Sequence, residues 1–83
     1  MSTSSSGPHD AILDARGLMC PMPVLKAKKA LRDVKDGGIL QVLATDPGSV
    51  ADMKAFCEMT GNRLISSEQD EDVFIYHIEK SGT

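Results

Sequence analysis

Two helices and four short strands in the order β-α-β-α-β-β predict an α/β (α+β) two-layer sandwich. Three observations carry that expectation. The chain has 83 residues, 41% hydrophobic and 25% charged, which is the size and balance of one small globular domain. Apolar residues recur at helical spacing in two stretches, and runs rich in β-formers alternate with them. Gly, Pro and Asp punctuate the changes between the two. The division expected is a Ser-rich, disordered tail over residues 1–10, a single domain over 11–80 and a short C-terminal tail over 81–83.

Ala11–Ala15 is a short apolar run that gives out at Gly17, and it reads as the first strand. Pro21–Val34 reads as the first helix. At 100° per residue Val24, Ala27, Ala30, Leu31 and Val34 fall within an arc of about 120°, with every charged residue outside it. Gly37-Gly38 stops this helix. Ile39–Thr45 (ILQVLAT) is the second strand. Asp46-Pro47 opens the second helix, with Asp at the N-cap and Pro at the first helical position. Val50, Met53, Phe56 and Cys57 recur on one face, and Gly61 follows as the C-cap. Arg63–Ser67 is a weaker strand, Ser66–Asp72 is polar and turn-like, and Val73–Glu79 is the last strand. The β-α-β units are expected to be right-handed with parallel strands. The last two strands are placed to form a hairpin, and there is no internal repeat.

Several function classes drop out. No apolar run approaches the roughly 18 residues of a membrane span. MSTSSSGPHD has neither an apolar core nor a positive start, so it is not a signal peptide. Two cysteines do not make a secreted disulfide scaffold. A cytoplasmic protein is expected. The net charge of −3 weighs against a general nucleic-acid binder, and two Phe with one Tyr are too few for a base-stacking platform.

Charge is unevenly spread. Arg16–Lys35 contains Arg16, Lys26, Lys28, Lys29, Arg32 and Lys35 against the single acid Asp33, while the rest of the chain is acidic. These cations solvate the outer face of a helix. They also suit a docking surface for an acidic partner and a potential that favours a thiolate at Cys20, and these readings are compatible.

Cys20 sits in Gly17-Leu18-Met19-Cys20-Pro21-Met22-Pro23, where the chain enters the first helix. Pro21 fits the first helical position and Pro23 the third, within the turn where a missing N–H breaks no helical bond. Cys20 is then the N-cap, facing the free N–H of Met22 and the positive end of the helix dipole. These features predict an exposed, nucleophilic cysteine of lowered pKa.

What surrounds Cys20 in sequence narrows its chemistry. A dithiol oxidoreductase needs a second Cys two residues further on, and that place is Pro23. Cys57 falls on the apolar stripe of the second helix and reads as a small core residue, with a relay role as the alternative. A cysteine hydrolase needs a His base; His9 lies in the tail and His77 in the last strand. No spacing of three or four ligands suits a metal, and no cofactor is expected. A lone thiolate of this kind suits a carrier that accepts a group, holds it and hands it on; the alternative is an incidental cysteine at a helix start. Met22 and Leu25 fall away from the buried arc, and Met19 precedes the cysteine. Together they form an apolar rim around Cys20 with Lys26 and Lys29 beside it, either a docking site for partner enzymes or scattered exposure.

Leu13-Asp14-Ala15-Arg16-Gly17-Leu18-Met19-Cys20-Pro21-Met22-Pro23 resembles the L-D-x-x-G-x-x-C-P-x-P signature of the TusA/SirA family of small sulfur-carrier proteins. The Gly after the first helix, the Asp46-Pro47 opening of the second and Gly61 after it match as well, over about residues 11–80. The resemblance implies a mixed four-stranded sheet of order 1-2-4-3, with the last strand antiparallel to the others, packed against two helices. It implies that Cys20 carries sulfane sulfur as a persulfide, as a carrier rather than a turnover enzyme with its own small-molecule substrate. The implied donor is a cysteine desulfurase or a rhodanese-like sulfurtransferase. The implied acceptor is the next protein of a relay leading to tRNA 2-thiouridine, molybdenum-cofactor enzymes or sulfur oxidation. Gly17, Pro21, Met22 and Pro23 are expected to shape the site. Met19, Met22, Leu25, Lys26, Lys29 and Asp46 are expected to meet partners. Monomer, no membrane and no direct nucleic acid complete the expectation. Two other readings stand beside it: a docking or regulatory module that uses the rim without the thiol, and a nucleic-acid binder using Lys26, Lys28, Lys29 and Arg32, suggested by fold analogy alone.

Overall fold

A computed structural model of the chain describes residues 10–19 and 21–81. His9 and Cys20, and all of the two expected tails except Asp10 and Ser81, lie outside the described residues. The elements are β1 (Ala11–Ala15), α1 (Met22–Leu31), β2 (Ile39–Ala44), α2 (Ser49–Thr60), β3 (Arg63–Asp70) and β4 (Val73–Glu79). They form one four-stranded sheet of order β1-β2-β4-β3. β1 and β2 are parallel, and β4 runs antiparallel to both of its neighbours, β2 and β3. The expected mixed sheet and its order are therefore present. β4 is interior, so the sheet edges are β1 and β3.

Strand alternation builds the core. Leu40, Val42 and Ala44 of β2 are buried, and their β4 partners are Ile78, Tyr76 and Phe74. On the β1 side the same rows continue through Ala11, Leu13 and Ala15. The helices cover these rows with Pro23, Ala27 and Leu31 from α1 and Met53, Phe56 and Cys57 from α2. Of the apolar arc expected on α1, Ala27, Leu31 and Val34 are buried, and Val24 and Ala30 pack at its margin. Val50 departs from expectation: it is 42% exposed, because α2 meets the sheet through Met53, Phe56 and Cys57 instead.

Three boundaries also differ. α1 ends at Leu31, and Arg32, Asp33 and Val34 continue it as a tighter turn with bonds to the carbonyls three residues back. α2 begins at Ser49 with Gly48 as N-cap, so Asp46-Pro47 forms a turn ahead of the helix; the Asp46 carbonyl accepts from the Ser49 N–H at 2.9 Å. β3 runs on to Asp70, through residues expected to be turn, and only Glu71 and Asp72 remain between the strands. Pairing with β4, a strong β-former, overrides the weak strand propensity of Ser66–Asp70. A register shift between Leu64 and Ser66 marks a bulge at Ile65.

The termini of the domain are tied down. Asp10 donates its N–H to the Ile39 carbonyl at 2.7 Å and accepts from the Ile39 N–H through its carboxylate at 2.9 Å. Lys80 exchanges backbone bonds with Gly37 and Gly38, and its ammonium donates to the Val34 carbonyl at 2.7 Å. Inside the core the Ser49 and Tyr76 hydroxyls are 2.6 Å apart, and both residues are wholly buried.

Candidate functional site

The carboxyl ends of β1 and β2 and the amino ends of α1 and α2 meet at one end of the molecule. Two loops are joined there. β1 stops at Ala15, whose carbonyl accepts from the Leu18 N–H. Gly17 takes the left-handed conformation with φ 82°, which a Cβ disfavours, and donates its N–H to the Thr45 hydroxyl at 2.9 Å. That bond couples the segment before Cys20 to the loop that leads into α2. Leu18 turns inward against the core, and Met19 is 77% exposed.

Asp14 and Arg16 brace the same segment. The Arg16 guanidinium donates to both carboxylate oxygens of Asp14, at 2.8 and 2.9 Å, and the Arg16 N–H donates to the same carboxylate at 3.1 Å. Asp14 thus both orients Arg16 and caps its backbone. The hydrogen bonds from Arg16 hold the Asp14 carboxyl down at about 2, and Asp14 in turn raises the Arg16 guanidinium.

α1 starts one residue later than the sequence suggests. Its N-cap is Pro21 rather than Cys20, and Pro23 occupies the second helical position rather than the third. The Pro21 carbonyl accepts from both Val24 and Leu25 at 3.1 Å. The Met22 N–H, expected to be free for the cysteine sulfur, donates to the Met19 carbonyl at 2.8 Å. The pair of prolines explains the shift: Pro23 is tolerated because the first turn has no helical N–H bonds to lose, and its buried ring ties that turn to the core. Cys20 immediately precedes this cap in sequence, and the helix has no acid in its first turn and Lys28 and Lys29 in its last.

Of the residues expected to meet partners, Met22 is 41% and Leu25 52% exposed. Helical spacing puts Met22, Leu25, Lys26 and Lys29 on one outward stripe. Lys26 and Lys29 flank β1, where they line a groove of about 250 Å³ with Leu13, Ala30 and Asp33. Lys28 and Arg32 face the other flank, toward α2. The basic residues of α1 are therefore divided between two sides. Asp46 is half-buried at the second loop, beside the Thr45 that binds Gly17.

Cys57 is buried, and desolvation pushes its thiol up to about 11. It belongs to the core, as its place on the helical wheel indicates. His77 lies on the sheet face away from the helices, with its Nδ1 2.8 Å from the Ser66 hydroxyl. Among the described residues no three His, Cys, Asp or Glu side chains cluster in a way that could hold a metal. No described helix is long and apolar enough to cross a membrane. Sequence reasoning missed the Gly17–Thr45 tie and the Ser49–Tyr76 pair, which join residues 28 and 27 positions apart.

Comparisons with known proteins agree with this architecture. The family model described as sulfurtransferase TusA matches residues 11–80. The chain is similar to the sulfur carrier protein TusA of Allochromatium vinosum, 50% identical over 72 residues that cover 87% of this chain and 95% of that protein. It is 42% identical to the sulfur carrier protein TusA of Pseudomonas syringae pv. tomato, across 88% of this chain and 87% of that one. The crystal structure of a SirA-like protein from Desulfitobacterium hafniense superposes with a TM-score of 0.75 at 30% identity, covering 87% of this chain and 99% of that one. The chain belongs to the TusA sulfurtransferase family.

Proposed function

We infer that this protein is a cytoplasmic sulfur carrier that accepts sulfane sulfur on Cys20 as a persulfide and passes it to a downstream protein. The observation that carries the reading is the placement of Cys20-Pro21 in sequence. It lies between a loop pinned by Gly17 and Thr45 and a helix start anchored by buried Pro23, in a chain matched to the sulfurtransferase family over residues 11–80. The named relatives are sulfur carriers, which supports the same role here.

The chemistry needs one thiolate. In loading, the Cys20 thiolate attacks the outer sulfur of a persulfide on the donor; the new S–S bond forms as the donor's S–S bond breaks, and the donor leaves as a thiolate. Unloading repeats the exchange with an acceptor thiolate. Sulfur moves with no net oxidation, so no cofactor is required. The helix dipole and nearby cations stabilise the anion in both the empty and loaded carrier. Cys57, held as a buried thiol, is poorly placed to resolve the persulfide. A cysteine desulfurase or a rhodanese-like protein is the donor, and tRNA thiolation, molybdenum-cofactor supply or sulfur oxidation is the destination. Met19, Met22 and Leu25, with Lys26, Lys29 and Asp46, form the surface those proteins meet.

A second reading is favoured by the exposed Met19, Met22 and Leu25: a docking module that works without the thiol. Cys20→Ser separates the two. Transfer of radiolabelled sulfur from a loaded desulfurase is expected to vanish in this variant while complex formation persists. Transfer that survives Cys20→Ser contradicts the carrier reading.

A further inference from the structure

A cavity of about 240 Å³ lies at the end of the molecule opposite the Cys20 segment, between the last turns of α1 and α2 and the end of β4. Among the described residues its lining includes three cations, Lys28, Arg32 and Lys80, and no carboxylate. Neither Arg16–Asp14 nor Arg63–Glu79, ion pairs found among the described residues, involves any of the three. Three cations thus line one concavity in a chain of net charge −3.

The donors of this cavity are partly preorganised. The Lys80 ammonium gives one hydrogen to the Val34 carbonyl and keeps two. Asn62 is fixed on both sides, its carboxamide oxygen accepting from the Ser81 N–H and its amide donating to the Thr60 hydroxyl, each at 2.8 Å. One amide hydrogen of Asn62 remains. Arg32 brings a planar fork suited to two oxygens of one anion. Leu31 and Phe56 form the floor through the small part of each that stays exposed, 4% and 8%.

We propose that this cavity binds a phosphate monoester, with the phosphate held by Lys28, Arg32 and Lys80 and its organic group resting on Leu31 and Phe56. A dianionic tetrahedral group has the charge and the number of acceptor oxygens that three cations and an amide answer; a single carboxylate leaves most of them unmet. The volume admits more than a bare oxyanion. The ligand is not the sulfur source: Lys28 and Arg32 lie about 9 and 15 Å along the helix from Met22, at 1.5 Å per residue. The proposal is independent of the chemistry of Cys20.

The test is titration of the ¹⁵N-labelled full-length protein with AMP, and separately with inorganic phosphate, at 150 mM NaCl and pH 7.5. Saturable shifts are expected at the amides of Lys28, Arg32, Thr60, Asn62 and Lys80, with AMP half-saturating at a concentration at least fivefold below inorganic phosphate. Equal half-saturation by the two probes overturns the role of Leu31 and Phe56 and identifies free phosphate as the ligand. Lys28→Gln/Arg32→Gln leaves the buried contacts intact and is expected to weaken AMP binding at least tenfold, whereas Lys26→Gln/Lys29→Gln on the other flank is expected to leave it unchanged. Shifts that do not saturate with either probe, that sodium acetate reproduces, or that both double variants reduce alike overturn the site.

Discussion

Tyr76→Phe removes one oxygen from the core and should be one of the most destabilising single-atom changes available to this protein. The Ser49 hydroxyl is 2.6 Å from that oxygen, and both residues have no exposed surface. In Tyr76→Phe the Ser49 hydroxyl stays buried and loses that partner, at a cost of about 1–3 kcal/mol. Ser49→Ala withdraws the partner from the other side. Both single variants break the same bond, so their losses should not add in the double variant. That corresponds to a coupling of about 1–2 kcal/mol in a double-mutant cycle. In a domain of this size 1 kcal/mol moves Tm by roughly 4–8 °C, so a single-variant loss of about 1–3 kcal/mol lowers Tm by about 4–24 °C. Urea and thermal unfolding followed by far-UV circular dichroism at pH 7 measure all four proteins. Single-variant losses that simply add in the double variant refute the reasoning, since the pair then acts as two independent side chains.

Other expectations follow from the same structure. Gly17→Ala has room for its Cβ but must hold φ 82°, so it should lose about 1–2 kcal/mol by urea unfolding and slow sulfur loading by loosening the Thr45 tie. The Asp14 carboxyl, held at about 2 by Arg16, favours folding above its unfolded value near 3.8 and loses that contribution as pH falls toward 2; Arg16→Gln keeps the backbone bond and should raise its NMR-measured titration only part of the way toward 3.8. Burial raises the Cys57 thiol from 9.0 to about 11, so the folded state holds the proton more tightly. Its contribution is whole below pH 9 and is lost as pH rises through 11; Cys57→Ala should remove that part of the alkaline decline in Tm, at the expense of some packing throughout.

Much of this fold was legible because local and global preferences agree. The apolar arc of α1 marks the face that is buried, Gly61 marks the end of α2 with φ 79°, and Val73–Glu79 is rich enough in β-formers to appear as a strand with its expected bounds. The sheet order came from a family resemblance, since nothing local says that β4 inserts between β2 and β3. Failures occurred where tertiary contact overrides local chemistry. Ser66–Asp70 is polar, yet it is a strand because β4 offers it a ladder. Asp46-Pro47 is a strong helix start, yet the chain turns once more and starts α2 at Ser49. Val50 has an apolar side chain on a face the sheet does not reach.

The site divides in the same way. The position of Cys20 before a proline-led helix was readable from spacing, although the cap itself is Pro21. The exposure of Met22 and Leu25 followed from their angle on the wheel. The division of the α1 cations into a β1 flank and an α2 flank needed the neighbours in place, as did the meeting of Lys28, Arg32 and Lys80.

The central claim is that Cys20 carries sulfur, and intact mass spectrometry tests it most directly. The reduced protein is incubated with a cysteine desulfurase and cysteine, and separately with thiosulfate and a rhodanese, then weighed with and without dithiothreitol. The account predicts a dithiothreitol-reversible gain of one sulfur atom from at least one donor, retained in Cys57→Ser and lost in Cys20→Ser. A gain that persists in Cys20→Ser, or no gain from either donor, contradicts it.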